Sequence, residues 1–269
     1  MTVINTNINS LVAQNALKVN GREMAKAMNQ LATGTRINSA ADDAAGLAVS
    51  QTMTAQIQGL NMAVRNANDG ISLAQTAEGA MIEISDMLQR MRELAVQASS
   101  GTLSNSQREY LGTEFDALDA QIASTIGNTK WNGTAVLTGS GTDLNFTIQA
   151  GADADQTIIV TSKSITIAAA ADISRATNAG TSIAQVDTAL GLVNSARASL
   201  GAVINRLASA GDNMTNISQN VSESRSRIRD TDYAAATTEL ARTQIIAQAG
   251  MAVLAQANQQ PQTVLSLLR

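Results

Sequence analysis

The sequence predicts a mainly α fold: a long antiparallel coiled-coil helical bundle with a small β-hairpin region near residues 130–170. Three observations predict it. Aromatic residues make up only 2% of the 269 residues while hydrophobic residues make up 44%, so the core must be packed with Ala, Ile, Leu, Val and Met. Apolar residues recur at alternating steps of three and four in two long stretches, the spacing of a coiled-coil seam. The one Pro, Pro261, falls beyond the last seam, where it breaks no rod.

The elements follow in chain order. Asn5 to Leu31 carries Ile8, Leu11, Leu17, Met24, Met28 and Leu31 in an Ala- and Gln-rich, helix-favouring setting. The first long seam runs Met53, Ile57, Leu60, Val64, Ala67, Ile71, Ala74, Glu78, Met81, Ser85, Leu88, Arg92, Ala95, with ten of thirteen positions apolar. Its polar members cluster late, where an adjacent line takes over: Ala74, Ala77, Met81, Ile84, Leu88, Met91, Ala95, Ala98. A nearly straight helix drifts by roughly 20° per heptad against a strict 3.5 repeat, so a rotating seam is expected. At 1.5 Å per residue the 46 residues from Met53 to Ala98 make a rod of roughly 70 Å.

A third, shorter helix is capped by Ser104 or Ser106 and has Tyr110, Leu111, Phe115, Leu118, Ile122 and Ile126 on its apolar face. The character then changes. Lys130-Trp131-Asn132-Gly133-Thr134 contains the Asn-Gly signal of a tight turn. Leu144 to Gln149 alternates apolar and polar residues, Gly151 to Asp155 reads as a turn, and Thr157 to Thr161 is β-branched. Ser164 to Ile167 is expected as one more strand. A second long seam follows: Ile183, Val186, Leu190, Val193, Arg197, Leu200, Ile204, Leu207, Gly211, Met214, Ser218, Val221, Arg225 and Ile228, ten of fourteen apolar. Two rods of matching length read as antiparallel partners.

Tyr233 to Leu254 closes the pattern. Tyr233, Thr237, Leu240, Gln244, Ala247, Met251 and Leu254 make one line, while Ile246, Gly250 and Val253 lie on another side. A helix with two apolar sides needs two partners. One is the N-terminal segment, and the second side points to self-association. The plainer alternative is that both ends fold back onto the central bundle.

Composition narrows the chemistry. With no Cys and no His there is no disulfide, no thiolate nucleophile and no imidazole base, so neither a metal site nor a cofactor is expected and an enzyme is disfavoured. A net charge of −4 argues against nucleic acid, and no apolar run is long enough to insert in a membrane. Adjacent Asp42 and Asp43 point about 100° apart on a helix, which suits a helix start and not acid–base work. Asp153 and Asp155 lack the rest of a calcium loop. Arg225, Arg227 and Arg229 are balanced by Glu223, Asp230 and Asp232, and Asn132-Gly133-Thr134 fits a glycosylation sequon. The start, Met1 to Ile8, carries neither the basic end nor the apolar stretch of a secretory signal, so the chain is either cytoplasmic or exported by another route.

Long stretches resemble a known family. Val3-Ile4-Asn5-Thr6-Asn7-Ile8-Asn9-Ser10-Leu11, the run Leu31 to Ala48 (LATGTRINSAADDAAGLA), Leu88 to Gln97 (LQRMRELAVQ), Ser226 to Ala234 (SRIRDTDYA) and Ala255 to Arg269 (AQANQQPQTVLSLLR) are similar to bacterial flagellin. One departure is Arg229, where the family usually has an acid. The resemblance covers about 1–130 and 180–269 and implies a short form lacking the large outer domains. It implies an inner-core terminal coiled-coil domain of 1–44 plus 226–269, and a rod-like domain of 45–225 carrying the β region. It also implies a secreted structural subunit that polymerises into the extracellular filament for motility.

The implied partners are other copies of the chain, the flagellar type III export apparatus and a chaperone, and the filament cap and hook–filament junction proteins. The expected polymerisation residues are Ile4, Ile8 and Leu11 at the start and Ile246, Met251, Val253 and Leu254 in the last helix. Val264, Leu265, Leu267 and Leu268 continue them in the tail. The resemblance further implies recognition of the monomer by the host's Toll-like receptor 5 through Gln89, Arg90, Glu93, Leu94 and Glu114. An alternative within the same plan is a hook-associated junction protein.

Overall fold

The computed structural model describes residues 6–166 and 173–266. Its elements in order are α1 (Ile8–Thr33), α2 (Ala44–Ala98), α3 (Asn105–Asn128), β1 (Lys130–Trp131), β2 (Thr134–Ala135), β3 (Leu144–Gln149), β4 (Thr157–Ser162), α4 (Ala176–Arg229) and α5 (Tyr233–Ser266). The chain divides into two compact units, Met1–Ala55 with Asn220–Arg269, and Gln56–Gln219.

In the 56–219 unit, α2 and α4 run antiparallel. Arg92 Nε donates to Asp187 Oδ1 at 2.6 Å, Ser218 Oγ donates to Asn61 Oδ1 at 3.1 Å, and Gly70 lies beside Leu207. The rotated line of α2 is the buried one: Ala74, Ala77, Met81, Ile84, Leu88, Met91, Ala95 and Ala98 are all fully enclosed. Arg92, where the strict heptad points out of the core, reaches solvent and Asp187. From α4, Val186, Val193, Leu200, Leu207 and Met214 join the same core.

Helix α3 begins with a capping box: the Ser104 side chain accepts from Gln107 N, and the Gln107 side chain accepts from Ser104 N. Phe115, Ile122 and Ile126 are buried beneath it, with Leu111 and Leu118 half-buried. Tyr110 departs from the expected face, being 76% exposed. The buried member of that turn is Arg108, whose guanidinium donates to the carbonyls of Ala98 and Ser100, each at 2.8 Å. Those carbonyls belong to the end of α2 and the turn after it, where the helix leaves acceptors without backbone donors.

The β region holds two hairpins. Between β1 and β2, Asn132 and Gly133 both have positive φ, 45° and 80°, as the tight Asn-Gly turn requires. Strands β3 and β4 pair from Leu144↔Ser162 to Gln149↔Thr157. Phe146, Ile148, Ile158 and Val160 face the core, and Asn66 Nδ2 donates to Gln149 O at 3.3 Å. No strand forms over 164–166, and Ile167 lies outside the described residues. There Ser164 instead turns its hydroxyl to Thr138 O while Ile165 N donates to the same carbonyl, tying the segment to the loop after β2.

In the unit formed by the chain ends, α1 and α5 pair antiparallel. Asn7 Nδ2 donates to Ala257 O at 2.7 Å, and Asn20 Nδ2 donates to Thr243 O at 2.8 Å. Gly250 sits against Leu17, so close that an added Cβ would lie 2.7 Å from Leu17 Cδ2. Gly34, at φ +70°, closes α1 with its N–H on Gln30 O. A short antiparallel tie follows: Arg36 N donates to Arg229 O, Thr231 N donates to Gly34 O, and Thr35 bridges Asp230. Asp43 Oδ1 accepts from Gly46 N at the start of α2, the helix-start role read from its position. Asp42 accepts from Ser39 N, Ser39 Oγ and Asn38 N, which hold its carboxyl below the usual range, the Ser39 backbone bond foremost.

Helix α5 runs beyond the Tyr233–Leu254 stretch, through Pro261, to Ser266. Pro261 has no N–H for the carbonyl four residues back, Ala257 O, and that is the carbonyl Asn7 takes up. The line facing α1 is shifted from the expected one. Ala236, Thr243 and Ala257 are buried, and Leu240, Ala247, Gly250 and Leu254 half-buried, whereas Tyr233, Thr237, Gln244 and Met251 are exposed.

Candidate functional site

Two surfaces gather the candidate residues, one in each unit. The first is the outer side of the α1–α5 pair. Its contact line is made of small or polar side chains: Ser10, Asn20 and Ala27 on α1, and Ala236, Thr243 and Ala257 on α5. Small residues let two helix backbones approach closely. Several larger apolar side chains are thereby left outside. Ile8, Leu11, Val12 and Val19 on α1 are 44–63% exposed, and Ile245, Ile246, Met251 and Val253 on α5 are 43–65% exposed. Val12 and Val253, with Asn9, Ala13, Ala16, Gln256 and Ala257, line an open groove between the two helices.

Of the expected polymerisation residues, Ile8, Leu11, Ile246, Met251 and Val253 are exposed, with Met251 on the other flank of α5 from Ile246 and Val253, and Leu254 is half-buried. Val264 and Leu265 lie within α5. Ile4, Leu267 and Leu268 lie outside the described residues. Asn7 and Asn20 escaped the sequence reading. Their signal was an Asn at a helix start and an Asn in a line otherwise apolar, the residue that fixes register in a paired helix.

The second surface lies on α2 and α3. Arg90 is its hub: Nη2 lies 2.8 Å from Glu114 Oε1 on α3, and Nη1 lies 3.0 Å from Glu93 Oε2 one turn along. These bonds, that to Glu114 first, raise the guanidinium's affinity for its proton. Gln89, Arg90, Glu93 and Glu114 are exposed, and Gln89 and Glu93 line a shallow groove with Arg92, Val96 and Gln97. Leu94 does not belong to it. At 1% exposure it is part of the core, because its position on α2 faces inward beside Met91 and Ala95. Leu94 therefore offers no side-chain surface to a partner and supports the patch from below.

Among the described residues no group of three or more His, Cys, Asp or Glu is placed to hold a metal ion, and no helix is long and apolar enough to cross a membrane. Asp153 Oδ2 accepts from Gln156 within the β3–β4 turn, and Asp155, at φ 66°, shapes the same turn.

Comparison with known proteins is consistent across the chain. Residues 4–142 match the model of the bacterial flagellin N-terminal helical region, and residues 183–268 match that of the bacterial flagellin C-terminal helical region. A flagellin of Halalkalibacterium halodurans is 44% identical over 99% of this chain and 100% of the relative. A flagellin of Bacillus subtilis is 40% identical over 99% of each. Among solved structures, Bacillus cereus flagellin is 30% identical, with a TM-score of 0.48 over 56% of this chain and 88% of that one.

Proposed function

The chain belongs to the bacterial flagellin family, and from that premise we propose that its copies join through the exposed apolar side of the α1–α5 pair. It is a short-form flagellin, a structural subunit of the flagellar filament that serves motility. The observation that carries the joining surface is the inversion within the terminal pair: its small residues are inside and Ile8, Leu11, Ile245, Met251 and Val253 are in water. An apolar row of that kind is covered when another copy packs on it. The contact is heterologous, so copies add in one direction and build an open helix. Deleting 255–269 removes Ala257 and the end of α5; it should abolish filaments while leaving the helicity of 56–219 intact. Normal filaments from the truncated chain would overturn the assignment.

In this reading residues 1–44 with 226–269 form the filament's inner core and 45–225 the rod outside it. The chain leaves the cell through the flagellar type III export apparatus with a chaperone, and assembles outside beneath a cap on junction proteins. The absence of Cys suits export as an unfolded chain free of crosslinks.

The α2–α3 patch is proposed to meet Toll-like receptor 5 in the monomer. Its support is the exposed, mutually paired set Arg90, Glu93 and Glu114 with Gln89 beside it. Receptor-reporter cells exposed to Arg90→Ala and Glu114→Ala monomers should respond at least about tenfold less, the cost of losing one charge-assisted bond at an interface. An unchanged response to both would reject the patch.

A further inference from the structure

We infer that Met251 and Met28 are two separate oxidation sites on the terminal helices, where oxygen transfer from hydrogen peroxide to the thioether sulfurs of the monomer blocks the joining of copies. The inference rests on the joining surface proposed above. The chain has ten Met and no Cys, so thioethers are its only sulfur. The structure sorts them by access. Met81 and Met91 are fully enclosed and Met214 is 4% exposed, whereas Met28 is 55% and Met251 58% exposed. Met62 is 48% exposed, but its sulfur accepts a hydrogen bond from the Arg65 guanidinium, which draws electron density from it and makes it a poorer nucleophile.

Access decides because the reaction is a direct displacement at oxygen. The sulfur lone pair attacks one peroxide oxygen, the O–O bond breaks, and the departing oxygen leaves as water after a proton shift. Sulfur is oxidised by two electrons to the sulfoxide, and peroxide is reduced. Thioether oxidation of this kind is reversed by sulfoxide reductases drawing on a dithiol. The product carries a strong hydrogen-bond acceptor where an apolar, pliable side chain stood. Met251 is one of the large apolar side chains that α5 leaves exposed, so a second copy packing on it would bury the S–O dipole against apolar groups. The Met251 sulfur is shielded once another copy packs on it, so there the monomer is sensitive and the filament is not.

The test uses full-length monomer treated with graded hydrogen peroxide, sulfoxide mapping by peptide mass spectrometry, and elongation from untreated seeds followed by sedimentation. Met28 and Met251 should oxidise about tenfold faster than Met81 and Met91, as expected for exposed against enclosed sulfur. Elongation should fall about tenfold, the scale set by burying one unpaired polar group, and recover after sulfoxide reductase with dithiol. The double variant Met28→Leu, Met251→Leu keeps volume and apolarity, and its elongation rate, whatever its untreated level, should be the same before and after peroxide. Equal oxidation of Met91 and Met251 overturns the inference, as does undiminished elongation of oxidised wild type, or equal peroxide sensitivity of the double variant. Failure of untreated wild type to elongate on seeds would instead reject the joining surface, with the oxidation rates still deciding access.

Discussion

In the 56–219 unit, the line of α2 that faces its neighbours encloses Met81, Ile84, Leu88 and Met91 completely; in the terminal unit, the matching line of α5 encloses Ala236, Thr243 and Ala257 and leaves Ile245, Met251 and Val253 in water. Both lines step by three and four, so spacing does not separate them. Side-chain size does. Burying a large aliphatic side chain contributes about 1.5–3 kcal/mol relative to leaving it exposed, and burying Ala far less. One unit is held by its own core. The other is held by helix contact, two Asn side chains and a short backbone tie, with many of its larger apolar residues left for another molecule.

That contrast can be broken at several points. Leu88→Ala should cost about 3 kcal/mol of unfolding free energy, the usual penalty for a cavity in a packed core. Urea unfolding would measure it, and a cost below about 1 kcal/mol would show that the enclosed line is not what stabilises the unit. Arg108→Ala strips the Ala98 and Ser100 carbonyls of their donors and should cost about 2 kcal/mol in the same assay. Asn20→Ala removes the bond to Thr243 O and should cost about 1 kcal/mol, seen as faster amide exchange in α1 and α5 with 56–219 unchanged. Equal acceleration in both units would dissolve the distinction between them.

The smallest effect is electrostatic. Burial, and then the neighbouring charge of Asp116, raise the carboxyl pKa of Asp119 on α3. A carboxyl whose folded value is raised binds its proton more tightly in the folded state, so its ionisation costs stability as pH rises through that value. Asp119→Asn should therefore raise the melting temperature slightly at pH 7, with the gain vanishing below the ordinary carboxylate range. A gain that persists in acid would assign it to packing instead.

Regions differ as much in legibility as in packing. The rotation of the α2 seam was readable because helix geometry alone requires a straight rod to leave the strict heptad, and the residues on the new line are large and apolar. The bounds of β3, the Asn132-Gly133 turn and the Ser104 cap were readable because each depends on neighbours in sequence. The α5 contact line was not. Hydropathy picks out Tyr233 and Met251, while the residues that touch α1 are Ala236, Thr243, Gly250 and Ala257, chosen for smallness. Tyr110 is exposed and Arg108 enclosed for a related reason. A guanidinium can be enclosed when it finds several carbonyls, and those lie across a turn that no periodicity describes. Leu94 follows Glu93 directly, and adjacent residues on a helix point about 100° apart, so it turns into the core where Glu93 turns out. The course of α5 through Pro261 was not legible either, because the carbonyl that Pro261 leaves without an N–H is taken up by Asn7 from the other end of the chain.

That side chain has a consequence in time. Asn7 and Ala257 are separated by 250 positions, and Arg36 and Ile228, joined through the Arg36 guanidinium, by 192. Contacts between such distant positions carry a large loop-closure cost and form late. A chain made from its N-terminus offers α1 nothing to pair with until nearly every other residue exists. The first helix to appear is the last to be covered, and until then Ile8, Leu11 and Val12 must be kept in solution without the pair that orders them.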